Sequence, residues 1–249
     1  MEALILAAGE GTRLRPLTDA TPKALIPVRG RPLIGHVLER LLAAGATHLV
    51  VNVCRDAGRI ADFVRKAVPA GVSVSVSEEP DGPYETGGGL LAAAPLFRRE
   101  GPILLHAVDV LSRIPLADLL ARHRAAHADA GERHVATLAV QGRASRRRLV
   151  FDAEGMAGWE ERDAAGARVR SLEGRAAIGS VTYWSFAGIH VVEPALLDLP
   201  HPPGRFPLAG WYVELARLGY RILPLDVSRH PWLDVGTPER LQEAEKGDW

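Results

Sequence analysis

The chain has 249 residues, 47% of them hydrophobic, enough to bury the core of one large domain or two small ones, which excludes a disordered or fibrous polymer. Thirty basic residues balance thirty acidic ones, so no whole-chain field draws nucleic acid or an anionic membrane, and any affinity for phosphate must come from a local site. The single Cys54 excludes an internal disulfide framework, and with neither a leader-like N-terminal pattern nor an apolar run of bilayer length the cytoplasm is the expected compartment.

Short aliphatic and β-branched runs alternate with amphipathic stretches, the pattern of βαβ units, so the expected fold class is α/β with a mostly parallel sheet. In chain order, residues 3–7 read as the first strand, 33–44 as a helix, 48–53 as a strand and 57–67 as a helix. A strand at 72–77, a helix at 88–96, a strand at 103–108 and a helix at 116–128 follow. After Thr137 the pattern changes to the strand-like pieces ATLAVQ, RRLVFD and VTYWSFAGIHVV, broken by the polar loop ERDAAGARVRSLEGRAA. Helical stretches at 209–218 and 238–246 come last, and the sequence contains no internal repeat or low-complexity tract.

One stretch carries most of the chemistry. LILAAGEGTRLRPLTDATPKALIPV, residues 4–28, starts as an apolar strand and then delivers two glycines, arginines, a threonine and a lysine. A dinucleotide fingerprint needs a third glycine where Leu14 stands and a helix that Pro16 and Pro22 interrupt. A P-loop needs a Gly-Lys-Ser or Gly-Lys-Thr pair, which the chain lacks. What remains is a long irregular loop in which Gly9 and Gly11 permit close backbone approach to an anion while Arg13 and Lys23 supply positive charge, a description that fits a triphosphate.

The string LAAGEGTRLRPLTDATPKALIPV closely resembles the signature of the sugar-1-phosphate nucleotidyltransferases. YETGGGLLAAAP at 84–95 and WLDVGTPERL at 232–241 resemble the same family in the same order, and ETGGG is most similar to the branch of N-acetylmuramate-1-phosphate uridylyltransferases and related hexose-1-phosphate enzymes. The resemblance implies a Rossmann-like sheet with helices on both faces and a smaller β-rich subregion. It implies one domain, with residues 1–135 as the nucleotide-binding half and 136–249 as the sugar-binding half. The implied reaction joins a nucleoside triphosphate, UTP foremost, to a sugar 1-phosphate with release of pyrophosphate. Such a displacement needs no protein nucleophile; it needs cations and dipoles that align two phosphates and neutralise the leaving pyrophosphate.

Residue by residue, the resemblance assigns Gly9, Gly11, Thr12 and Arg13 to the β- and γ-phosphates, Ala8 to the same binding set, and Lys23 to the α-phosphate and the incoming sugar phosphate. Asp109, after the strand PILLHAVD, and Asp234, in LDVGT, are the implied magnesium ligands, and Asp109 ends a strand where ligands sit in parallel sheets. The family commonly has Asn-Gly before the first aspartate; this chain has Ala107-Val108, and His106 is a candidate to replace one polar contact. Gly87, Gly88 and Gly89 are expected near base and ribose, with residues 78–84 as a covering loop. Glu161 is expected on sugar hydroxyls, Arg162 in place of the relatives' phosphate-holding lysine, and Gly188 near the sugar. Arg146, Arg147 and Arg148 read as surface, and Trp159, Tyr183, Trp184, Trp211 and Trp232 mostly as packing. A catalytically silent nucleotide-sugar-binding module on the same fold is the alternative, and a Rossmann oxidoreductase the more distant one. The sequence leaves monomer and dimer equally open.

Overall fold

The computed structural model describes residues 1–247 and Trp249. Its first half runs β1 (Glu2–Leu6), α1 (Leu17–Ala20), β2 (Pro27–Val28), β3 (Arg31–Pro32), α2 (Leu33–Ala43), β4 (His48–Val53), α3 (Ala57–Ala67), β5 (Ser73–Glu78), α4 (Glu85–Ala93), β6 (Ile103–Ala107), β7 (Val110–Ser112) and α5 (Leu116–Ala130). The second half runs β8 (His134–Gln141), β9 (Arg147–Asp152), β10 (Gly155–Arg162), β11 (Arg168–Glu173), β12 (Thr182–Val192), α6 (Leu208–Arg217), β13 (Arg221–Asp226), β14 (Trp232–Asp234) and α7 (Pro238–Lys246).

A ten-stranded mixed sheet organises the chain. β1 is flanked by parallel β4 and β6, and β4 continues into parallel β5. β12 runs antiparallel to β6 and carries both the β9–β10–β11 meander and β8, which pairs in parallel with β13. The near-continuous apolar β1 and β4 suit strands covered on both faces. Alternation along β1 sends Ala3 and Ile5 into one core with Val37, Leu41 and Ile60, and Leu4 into the other with Leu90 and Tyr212. Among the described residues no helix is long and apolar enough to cross a membrane.

The expected strands and helices stand within a few residues of these bounds, with three instructive differences. α4 begins at Glu85, three residues earlier than periodicity suggests, because Gly87 and Gly88 N–H donate to Phe206 O at 2.9 and 3.3 Å and so satisfy the first turn. The polar tract at 161–177 is not simply a loop: it holds the end of β10 and all of β11, folded back antiparallel. β11 is mostly exposed and places its two apolar residues, Val169 and Leu172, on opposite faces, so no alternation marks it. The two-stranded ladder of β7 and β14 was not foreseen at all, since three-residue strands have no periodicity to read.

Candidate active site

The carboxyl ends of β1, β4 and β6 share one edge of the sheet, and antiparallel β12 brings its first half to the same edge. After β1 the chain enters the loop around Gly11, whose φ of +66° is left-handed. A Cβ at Gly11 would lie 2.8 Å from Thr18 Cγ2 and 3.2 Å from Lys23 Cβ, so glycine lets the loop fold onto the lysine. Thr18 Oγ1 donates to Gly11 O at 3.0 Å and Leu14 N–H to the same carbonyl at 2.8 Å. Gly9 faces open space and Arg13 is exposed. Ala8, Gly9, Lys23 and Arg55 line one cleft at this edge.

Lys23 is buried, 8% exposed, and its ammonium donates to the Asp109 carboxylate. Asp109 leaves β6 for β7, and β7 pairs with β14 in a register that sets Asp234 opposite Val110. Val235 N–H then donates to Asp109 O at 2.7 Å. The two aspartates, 125 positions apart in sequence, thereby become neighbours, Asp109 in the turn before β7 and Asp234 at the end of β14. A Cβ at Gly236 would lie 2.7 Å from an Arg13 Nη and 3.2 Å from an Asp234 carboxylate oxygen, so both side chains border that glycine. Lys23 therefore meets Asp109 directly, while Arg13 and Asp234 border Gly236 at the same edge.

Gly188 also belongs to this edge. It sits in a register shift of β12 with φ +76°, and a Cβ there would lie 2.8 Å from Val110 Cγ2 and 3.3 Å from Ala107 Cβ. Its close approach is to the residues that flank Asp109. His106 does not take over a polar contact of the site: it is fully buried, one ring nitrogen bonds to Ala107 O at 2.8 Å, the other has no partner, and burial pushes its pKa down to about 4.

Residues 2–147 match the family model described as nucleotidyl transferase, more than half of the chain. The chain belongs to that family. As a nucleotidyl transferase relative it is 44% identical over 133 residues to N-acetylmuramate alpha-1-phosphate uridylyltransferase of Neisseria meningitidis, covering 51% of this chain and 57% of that protein. It is 32% identical over 250 residues to mannose-1-phosphate guanyltransferase of Pichia angusta, covering 96% of this chain and 62% of that protein. The chain spans about half the length of the first curated relatives it matches. UDP-glucose pyrophosphorylase from Acinetobacter baumanii shares the fold at a TM-score of 0.77 and 18% identity over 98% of this chain and 91% of that one. Inositol-1-phosphate CTP transferase from T. maritima does so at 0.72 and 17%, over 100% and 97%.

The remaining sequence-assigned residues lie in two groups. Gly87, Gly88 and Gly89 are buried, and the close approach each permits is to the chain itself. Cβ atoms there would meet Phe206 at 2.3 Å, Gly204 O at 2.9 Å, and the Glu79 carboxylate at 2.7 Å. Glu79, which sequence reasoning treated only as part of a covering loop, is 1% exposed. It accepts from Asn52 Nδ2 at 2.7 Å and from Tyr84 N–H at 2.6 Å, tying the end of β4 to the 79–84 loop. An Asn at a strand end and a Glu before a turn carry no pattern that would have singled them out.

Glu161 and Arg162 lie on β10, where the neighbouring Glu160 is the buried acid, 3% exposed. Arg162 Nε donates to Glu160 at 2.8 Å and its Nη1 to Gly166 O at 2.7 Å, while Arg148 Nε donates to Glu160 at 2.9 Å. Burial raises the Glu160 pKa, and hydrogen bonds from Arg162 and Arg148 bring it below the ordinary value. Arg148 is thus a structural partner, with its guanidinium 4.5 Å from the Tyr183 ring, and not a loose surface cation. Glu161 pairs with Arg147 at 3.5 Å. Trp211 packs as expected, 1% exposed with Nε1 donating to Pro200 O at 2.7 Å.

Proposed function

We propose that the chain transfers the nucleotidyl group of a nucleoside triphosphate, UTP foremost, to a sugar 1-phosphate, producing a nucleoside diphosphate sugar and pyrophosphate. The observation that carries this reading is the contact of Lys23 with Asp109 at the edge where Arg13 and Asp234 both border Gly236 and Asp234 pairs with Val110. One acceptor phosphate oxygen forms a new bond to the α-phosphorus, the α–β bridging P–O bond breaks, and its electron pair leaves with pyrophosphate. The attacking oxygen is already an anion, so no general base is required. Lys23 holds its ammonium at the carboxylate end of β6, where it draws the α-phosphate and the acceptor phosphate together against their repulsion. Arg13 and the loop from Ala8 to Thr12 hold the β- and γ-phosphates and receive the charge that develops on pyrophosphate.

Asp109 and Asp234 offer hard oxygen ligands from the turn before β7 and the end of β14, and among the described residues no group of three or more His, Cys, Asp or Glu forms a closed all-protein cage. That donor set suits magnesium, which takes one or two carboxylates plus phosphate oxygens and water. When bound it supplies neutralisation of phosphate charge.

The test is a pyrophosphate-release assay crossing five nucleoside triphosphates with a panel of sugar 1-phosphates, with and without excess chelator. We expect product with at least one pair, best with UTP, abolished by chelator. Preference for GTP or ATP would refute the base assignment alone. Negligible turnover with every pair, alongside retained nucleotide-sugar binding, would replace this reading with the silent binding module.

A further inference from the structure

Arg143 follows β8 by two residues and lies on the sheet edge that carries the two aspartates, because the end of β8 pairs with Ser185 in the first half of β12. Its guanidinium carbon is 4.2 Å from the centroid of the Trp232 ring. Trp232 and Asp234 are two apart on β14 and so share a face of that strand. Trp232 Nε1 donates to Ala187 O at 2.7 Å, Arg143 Nη2 to Phe186 O at 3.4 Å, and Ser185 Oγ to Arg143 O at 3.0 Å. The arginine is held between β14 and the irregular segment of β12 that packs, through Gly188, on the flanks of Asp109.

Its donors are barely used. Among the described residues the side chain makes that one long hydrogen bond, and its buried Nε has no partner. A guanidinium carries five N–H donors and stays charged at any working pH. Burial opposes its charged form, Asp234 supports it, and Arg240 opposes it. Three arginines of the β9–β11 region differ: Arg162 and Arg148 are engaged by Glu160, and Arg175 Nη1 donates to Asp152 at 2.8 Å. A half-buried fork with idle donors carries a desolvation cost that an anion would relieve, and a phosphate matches the fork geometry.

We propose that Arg143 binds the phosphate of the sugar 1-phosphate acceptor, an assignment that rests on the nucleotidyl-transfer reading above. Arg13 borders Gly236 together with Asp234 on the triphosphate-loop side, and Arg143, whose charge Asp234 supports, stands on the side of the second half of the chain, so two phosphates arriving from two sides would each meet an arginine. The stacking on Trp232 fixes the fork without consuming its donors.

Steady-state kinetics on Arg143→Ala and Arg143→Lys decide it, with Arg162→Ala as comparison. We expect Arg143→Ala to raise the acceptor KM tenfold or more while the nucleotide KM moves less than threefold, with Arg143→Lys in between because it keeps the charge and loses the fork. An unchanged acceptor KM, equal effects on both KM values, or an acceptor defect confined to Arg162→Ala would overturn the assignment. Titration of the parent and Arg143→Ala with inorganic phosphate, followed by calorimetry, separates this proposal from the reading beneath it. If the parent forms no product with any pair, the transfer reading fails. Arg143 then stands if its loss weakens phosphate binding tenfold and falls if binding is unchanged. Equal thermal midpoints for parent and Arg143→Lys exclude a merely structural effect.

Discussion

Lys23 and Asp109 form a contact whose structural and chemical roles can be separated. The ammonium is 8% exposed and the carboxylate 28%, so the two substitutions that break the pair are not equivalent. Asp109→Asn strands a buried cation. Removing one partner of a buried pair costs about 3–5 kcal/mol, and the wetter carboxylate side places this pair near the low end, about 3 kcal/mol. Lys23→Met leaves a carboxylate with partial access to water and should cost about 1–2 kcal/mol. The double variant Lys23→Met/Asp109→Leu removes both charges and should recover to within about 1 kcal/mol of the parent, since apolar replacement of a buried pair is close to neutral. Urea unfolding midpoints at constant slope measure all three. Pyrophosphate release should be lost by two orders of magnitude or more in all three, with Lys23→Ala lowering kcat more than it raises the nucleotide KM. Equal stability loss in the two single variants, additive loss in the double, or activity in Asp109→Asn would each refute the reasoning.

Acid should unfold the protein early. Burial pushes the His106 and His134 pKa values down to about 4 and that of His190 down to about 3, while the unfolded chain titrates near the ordinary 6.5. The folded state therefore binds fewer protons, and stability present above pH 6.5 is lost as pH falls toward 4, at about 1.4 kcal/mol per pH unit per histidine. Three such groups give about 6 kcal/mol by pH 5, and pH-dependent urea melts should show His190→Leu with a shallower decline. Gly188→Ala should cost about 2 kcal/mol or more in the same melts, because alanine resists a left-handed φ and its Cβ would press on Val110, whereas Gly9→Ala, facing open space, should stay within about 0.5 kcal/mol. Asp234→Asn should cut turnover by at least two orders of magnitude while far-ultraviolet circular dichroism stays unchanged.

The sheet and its helices were legible because their residues are periodic: β4 and α3 have the bounds that their buried residues dictate. The loop was legible through Gly11, whose left-handed φ and contact with Lys23 are what a glycine at that position is for. What sequence could not supply was pairing. Nothing in LDVGT says that its strand lies beside the three residues after Asp109, and that ladder makes two distant aspartates into neighbours. Long-range charge partners were hidden for the same reason. Glu160 and Glu161 are adjacent and chemically identical, and only the pairing of β10 with β9 and β11 shows which one is buried against Arg148 and Arg162.

At Ala107-Val108, where the family commonly has Asn-Gly, this chain keeps its backbone out of the left-handed region. A glycine before the first aspartate is needed only if the backbone there must turn left-handed, and neither Ala107 nor Val108 has a positive φ. Val108 is 4% exposed in the core, and its N–H donates to Leu6 O at 3.1 Å, so the chain extends the register of β6 before releasing Asp109. The small side chain matters next: Ala107 Cβ faces Gly188, and the left-handed bend lies on that neighbouring strand. Two side chains in one place and one glycine in the next thus occupy the space that other arrangements divide differently. A bulkier residue at 107 would push on β12 and, through Ala187 and Phe186, on Trp232 and Arg143. Packing around Asp109 thus reaches the segment of β12 that carries Phe186 and Ala187.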